Sequence, residues 1–202
     1  MLSATERARI GEAIATAEAR TSGEIICVLA RQSSRYAALP ILWSSVAAMA
    51  APWALVFATQ FSVQRILLVQ AIVFAVLLGL LSWPPIRVKL APRGLRRAEA
   101  HRAATEQFVT RGLTRTQGRT GVLLFVSLAE HYVRIIADET ISQKVSHDVW
   151  QEAVEAMLVH LRRDAVADGF IAAIARCGDV LEEHCPRRPG DRNELADRIY
   201  VI

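Results

Sequence analysis

Four acidic residues stand where strands are expected to end: Glu24, Glu130, Asp138 and Glu139. Hard divalent cations take oxygen ligands, and irregular backbone beyond a strand can turn several carboxylates toward one point. Glu24 follows Gly23, which lets backbone come close to an ion. Glu130 falls in the tight connection between two apolar runs, and Asp138 leaves the second of them. Glu24, Glu130 and Asp138 are therefore the candidate ligand set for calcium or magnesium. Adjacent residues of an extended chain point to opposite sides, so Asp138 and Glu139 would not both ligate without an intervening turn. The plainer alternative is that these are solvated strand-end and helix-cap charges, with Arg134 as a surface partner.

Other chemistry is thinly represented. There is no G-x-x-x-x-G-K-[ST], G-x-G-x-x-G or H-E-x-x-H pattern, and no G-x-S-x-G elbow. His101, His131, His147, His160 and His184 are scattered, and His184 suits a helix C-terminus. Cys27, Cys177 and Cys185 lack metal-ligand spacing. Their odd count and apolar settings suggest reduced thiols in a cytosolic compartment. Thr21 and Ser22 before Gly23 would line a phosphate nest or equally cap a turn.

The elements that must position these residues are interrupted by an apolar block. Between Tyr36 and Ile86 the sole charge is Arg65. The two uncharged runs centre on 40–58 and 66–83, and each matches the ~20 residues that cross a hydrocarbon core. Thr59 to Arg65 forms the turn between them. The reading is a transmembrane helical hairpin over 36–86, with Trp83 at an interface and Pro52 as a tolerated kink. Arg31 and Arg35 precede it. Arg87, Lys89, Arg93, Arg96 and Arg97 follow it. Seven flanking basic residues against one in the turn put both flanks in the cytoplasm. The polar N-terminus contains no stretch resembling a cleavable signal.

Residues 87–119 carry nine basic and two acidic side chains, a net of +7, whereas 120–202 carry nine and fourteen, a net of −5. The positive segment adjoins the hairpin and should attract anionic lipid headgroups. Phe108 is its sole aromatic, which argues against nucleic acid as the partner.

On either side of the block the pattern is α/β. Helix 3–19 opens with the capping box Ser3-Ala-Thr-Glu6. An apolar, β-branched strand follows at 24–30. Beyond the hairpin come a helix at 94–113 and strands at 120–128 and 132–137, close enough to form a β-hairpin. A helix N-capped by Ser146 then buries Trp150 and Met157, and a last helix spans 168–184. A lone strand is unstable, so 24–30 must pair across the inserted hairpin. The expected division is 1–35 and 87–202 as the parts of one soluble α/β domain, with 36–86 between them.

TSGEI at 21–25, RTGVLLFVSLAEHYVRIIADETI at 119–141, the Trp-containing helix, GFIAAIARCGDVLEEHCP at 169–186 and the terminal DRNELADRIYVI together resemble the TPM-domain family, and its compact bacterial membrane-protein branch in particular. The resemblance covers nearly everything outside the hairpin. It implies a small β-sheet sandwiched by helices. Relatives include photosystem II maintenance proteins with metal-dependent acid phosphatase activity and an accessory subunit of a receptor channel. The expectation is a two-pass bacterial inner-membrane protein. Its cytoplasmic module would serve interaction or assembly with a membrane-protein partner. A divalent-metal-dependent acid phosphatase is the alternative.

Overall fold

The computed structural model describes residues 2–34, 36–188 and 190–202. Met1, Arg35 and Pro189 lie outside the described residues, and with Arg35 one of the flanking charges. The chain forms two compact units, Met1–Ser33 with Glu99–Ile202, and Ser34–Ala98.

The first unit is built on four strands: β1 Glu24–Ala30, β2 Gly121–Ser127, β3 Tyr132–Ala137 and β4 Ile199–Val201. They stand in the order β3-β2-β1-β4. β1 runs parallel to β2, with Glu24 beside Gly121 and Ala30 beside Ser127. β2 and β3 form the antiparallel hairpin. Every residue of β1 and β2 is buried, which explains their continuous apolar runs: both faces of the sheet are covered. Ile25, Cys27, Leu29, Val122, Leu124 and Val126 face one core, shared with Phe170, Ile174 and Met157. Ile26, Val28, Leu123 and Phe125 face the other, shared with Ala104, Phe108 and Leu113.

Helix α1 (Ala4–Glu18) carries the reciprocal capping box: Ser3 Oγ accepts from the Glu6 N–H, and Glu6 accepts from the Ser3 N–H. α7 (His147–Leu161) and α8 (Val166–His184) contribute to the same core as α1. Gly178 lets α1 approach α8, since a Cβ there would stand 2.9 Å from the Ala17 Cβ. α5 (Arg93–Thr110) supplies the opposite face through Ala104 and Phe108, which with the buried Ala100 form a one-sided stripe of i, i+4, i+8 spacing. α5 ends at Thr110, three residues before the expected 113; Gly112 follows with φ +81, and Leu113–Arg115 is a 3₁₀ turn. A four-residue α6 (Glu139–Ser142) follows β3.

The second unit holds α2 (Ala38–Ala58) and α3 (Val63–Leu81), packed together as a helical hairpin, and the short α4 (Pro84–Leu90). At 1.5 Å per residue α2 is about 31 Å long and α3 about 28 Å, matching a hydrocarbon core. α2 continues through Pro52. Its buried positions are Pro40, Ser44 and Ala48, at helical spacing; small side chains there permit close approach. The outward positions are large and apolar: Phe57 is 84% exposed, Trp53 71% and Met49 70%. Both helices are long and apolar enough to cross a membrane.

Besides α6 and the 3₁₀ turn, α4 and β4 were not anticipated from the sequence. α4 begins with prolines at its first positions, where the missing N–H costs nothing. β4 completes the sheet by pairing parallel with β1, Cys27 beside Ile199.

Candidate functional site

The parallel pairing of β1 with β2 fixes which strand-end residues can meet. Glu24 and Thr120 begin at one end of the sheet. β3 returns antiparallel, so Asp138 arrives at that same end, its N–H donating to the Gly121 carbonyl at 2.8 Å. Glu130 lies in the β2–β3 turn, at the other end. Seven residues of strand separate the two ends by about 20 Å. Glu24, Glu130 and Asp138 therefore do not converge on one ion, which corrects the expectation of a shared cation site.

Each of the three already has a structural task. Glu130 accepts from the Ser33 N–H at 3.1 Å on both oxygens and from the Ser127 hydroxyl. With the Leu128 N–H on the Ala30 carbonyl and the Ala129 N–H on the Arg31 carbonyl, it anchors the segment that leaves β1 against the β2–β3 turn. Asp138 N-caps α6, its Oδ1 accepting from the Glu139 N–H at 2.7 Å, while Oδ2 is buried without a partner. Glu139 is exposed and pairs with Arg119 at 2.8 Å, not with Arg134. Among the described residues no group of three or more histidine, cysteine or acidic side chains is disposed to hold a metal ion. The fit of a calcium or magnesium site to the expected ligands is thus poor, and no step is derived through one.

Thr21 and Ser22 form a clasp. The buried Thr21 hydroxyl donates to the Leu181 carbonyl at 3.0 Å and the Cys185 carbonyl at 2.5 Å, satisfying the C-terminus of α8. The Ser22 hydroxyl donates to the Pro186 carbonyl at 3.2 Å. A Cβ at Gly23 would lie 2.8 Å from Leu181 Cδ2, so a larger residue there would displace the end of that buried side chain. This use of the hydroxyls replaces the phosphate-nest alternative.

The site with the most perturbed chemistry was not foreseen. Glu18, in the last turn of α1, accepts from the Ile25 N–H at 2.7 Å and from the Asn193 amide at 3.2 Å. The same amide nitrogen donates to Asp197 Oδ1 at 2.5 Å. Beside it, Glu24 accepts from the Glu194 N–H at 2.9 Å and the Leu195 N–H at 3.2 Å. The C-terminal segment, residues 190–198, thereby crosses the sheet end over a carboxylate cluster. Desolvation, with further contributions from the charges of Glu24 and Asp197, pushes Glu18 up to about 9, despite the opposing Ile25 hydrogen bond. Desolvation also raises Glu24, against the pull of its two backbone donors. Burial thus favours the protonated form of the Glu18 carboxyl, an arrangement suited to general acid chemistry. The adjoining cavity is small, about 140 Å³, and is lined by Glu18, Glu24, Thr21, Arg187 and Arg192. It has room for a few waters or a small oxyanion.

Cys27 and Cys177 are fully buried and their thiols are pushed up by desolvation, Cys177 to about 12, so both behave as inert core residues.

Comparison with known proteins adds three findings. The TPM-domain family model matches residues 90–180, from the end of α4 through most of α8. No curated protein matches the chain. The NMR structure of the BA42 protein from the psychrophilic bacterium Bizionia argentinensis is similar in fold, with a TM-score of 0.63 at 19% identity, covering 100% of this chain and 96% of that one.

Proposed function

Taking as premise that this chain carries a TPM domain, we propose that it is a membrane-anchored, non-enzymatic interaction or assembly module for other membrane proteins. One observation carries the anchoring: two adjacent helices of spanning length present bulky apolar side chains outward along their length. In water that surface would be a large exposed patch, whereas in a bilayer it is solvated. The non-enzymatic role is supported by the use of Glu24, Glu130 and Asp138 as acceptors for backbone N–H groups. The membrane is the bacterial inner membrane, with both termini on the cytoplasmic side, as the flanking basic residues favour. Exposed Arg93 and Arg97 on α5 attract anionic headgroups, each contributing about 1 kcal/mol near the surface.

Carbonate extraction tests the anchor. The expected result is full retention of the chain in the membrane pellet, and release of a variant lacking 36–86. Release of the intact chain would refute anchoring. In-membrane crosslinking tests the interaction role: reproducible adducts with one membrane protein are expected, and their absence counts against it.

A second reading, an acid phosphatase, is favoured by one observation: Glu18, whose carboxyl burial pushes up, lines a cavity together with Arg187 and Arg192. Phosphomonoester turnover with calcium or magnesium, lost in Glu18→Gln or Asp138→Asn, would establish that reading in place of the first.

A further inference from the structure

Residues 34–98, the second unit, contain seven basic residues and no aspartate or glutamate. No carboxylate of this unit is therefore available as a counter-charge. Glu99 is the first acid to follow, and it pairs with Arg102 at 2.8 Å. Five of the basic residues, Arg87, Lys89, Arg93, Arg96 and Arg97, lie on α4 and the start of α5.

α4 follows α3 after two residues and packs against both α2 and α3, which seats it where α2 begins and α3 ends. For a spanning hairpin that end is a boundary between membrane and water. The composition of α4 suits it: Val88 is buried, Ile86 and Leu90 are half-buried and Lys89 is exposed, and the indole of Trp83 before it is exposed.

Arg87 and Arg96 differ from the other basic residues there. Both are half-buried, whereas Lys89, Arg93 and Arg97 are exposed. In each the Nε atom is shut off from solvent, and the guanidinium has no hydrogen-bond or ion-pair partner among the described residues. A cation withdrawn from water without a partner is unfavourable. The terminal nitrogens stay accessible, and two parallel N–H groups of a guanidinium match two oxygens of a phosphate, a fit that an ammonium lacks.

We propose that Arg87 and Arg96 bind the headgroup phosphates of anionic phospholipids at the base of the hairpin, with Lys89, Arg93 and Arg97 supplying the field that favours a headgroup of net negative charge. Exposed basic residues attract such lipids diffusely, in proportion to charge. The two half-buried arginines act instead through their fork geometry, so the preference depends on guanidinium and not on charge alone. This assignment rests on the anchoring reading and names the lipid class that the anchor selects.

The test uses the full chain reconstituted in phosphatidylcholine vesicles with increasing fractions of phosphatidylglycerol carrying brominated acyl chains, and reads quenching of tryptophan fluorescence. Brominated phosphatidylcholine is the reference. A preference of about fivefold for phosphatidylglycerol is expected. Arg87→Lys with Arg96→Lys keeps the net charge, removes both forks and should bring the preference below about twofold. The same exchange at the exposed Arg93 and Arg97 should leave it near the wild-type value. Made singly, Arg87→Lys and Arg96→Lys should each lower it about twofold, which keeps the test open where the double variant does not incorporate. No preference in the wild type, a preference unmoved by the exchanges at Arg87 and Arg96, or an equal fall in both double variants overturns the assignment. Relief of quenching by millimolar inorganic phosphate would mark a site for the free anion and overturns it too. A chain that enters the vesicles and resists carbonate yet shows no preference removes the lipid ligands and leaves the anchoring reading in place; a chain that does not enter the vesicles removes both.

Discussion

Glu18→Gln should make the protein more stable above neutral pH and remove part of its pH dependence. The wild-type carboxyl ionises at about 9 when folded and at 4.5 in the reference state. Below 4.5 both states are protonated and the group has no effect. Between 4.5 and 9 the folded chain keeps a proton that the unfolded chain has released, so stability falls as pH rises. The slope is about 1.4 kcal/mol per pH unit, so about 3 kcal/mol is lost by pH 7 if the site is fully dry. Water entering the adjoining cavity reduces this, and an effect of about 1–3 kcal/mol is expected. Glutamine keeps the acceptor for the Ile25 N–H and offers a donor to Asp197, as the protonated acid does. Thermal unfolding followed by circular dichroism from pH 5 to 9 reads the difference. The two proteins should coincide near pH 5, and the variant should melt about 3–10 °C higher at pH 8. Equal slopes, or a variant less stable at pH 8, would refute the burial argument.

A cysteine introduced at Gln60, in the turn between α2 and α3, should react with an impermeant thiol reagent from outside intact cells, and one at Ser3 should not; the reverse pattern sinks the cytoplasmic assignment. Replacing 37–85 by a short flexible linker should yield a soluble, folded domain, checked by circular dichroism and gel filtration, because closure entropy grows only logarithmically with loop length. Gly178→Val should destabilise by about 1–3 kcal/mol through overpacking against Ala17, read as a lowered Tm with unchanged helix content.

The strands β1, β2 and β3 were legible because each is a short run of apolar or β-branched residues beside a turn signal, and the α1 cap because its two partners are three residues apart. β4 was not. Its three residues follow a charged stretch and become a strand only by finding the free edge of β1, a partner about 170 residues away. The Glu18 cluster failed for the same reason. A glutamate in a last helical turn reads as solvated, and only the passage of Asn193 and Asp197 over it, contacts of very long sequence separation, takes it out of water. The separation of Glu130 from Glu24 and Asp138 could have been deduced once β1 was known to run parallel to β2. The turn of a β-hairpin and the start of a strand parallel to its first arm lie at opposite ends. Thr21 and Ser22 carried a visible signal, but their partners, the last carbonyls of α8, did not.

The interruption of the sheet also orders events on the ribosome. β1 leaves the exit tunnel with no partner, and β2 follows about 97 residues later. At synthesis rates of about 5–20 residues per second that is a wait of about 5–20 s. During it both long apolar helices emerge, so under the proposed anchoring their insertion precedes any sheet. β4 lies at residues 199–201, so it is the last of the four strands to be made. A largely apolar β1, held unpaired for so long, is a natural client for chaperones and exposed to misassociation during synthesis. Mutations that slow insertion of α2 or α3 would therefore surface first as aggregation of the nascent soluble unit, not as loss of the membrane anchor.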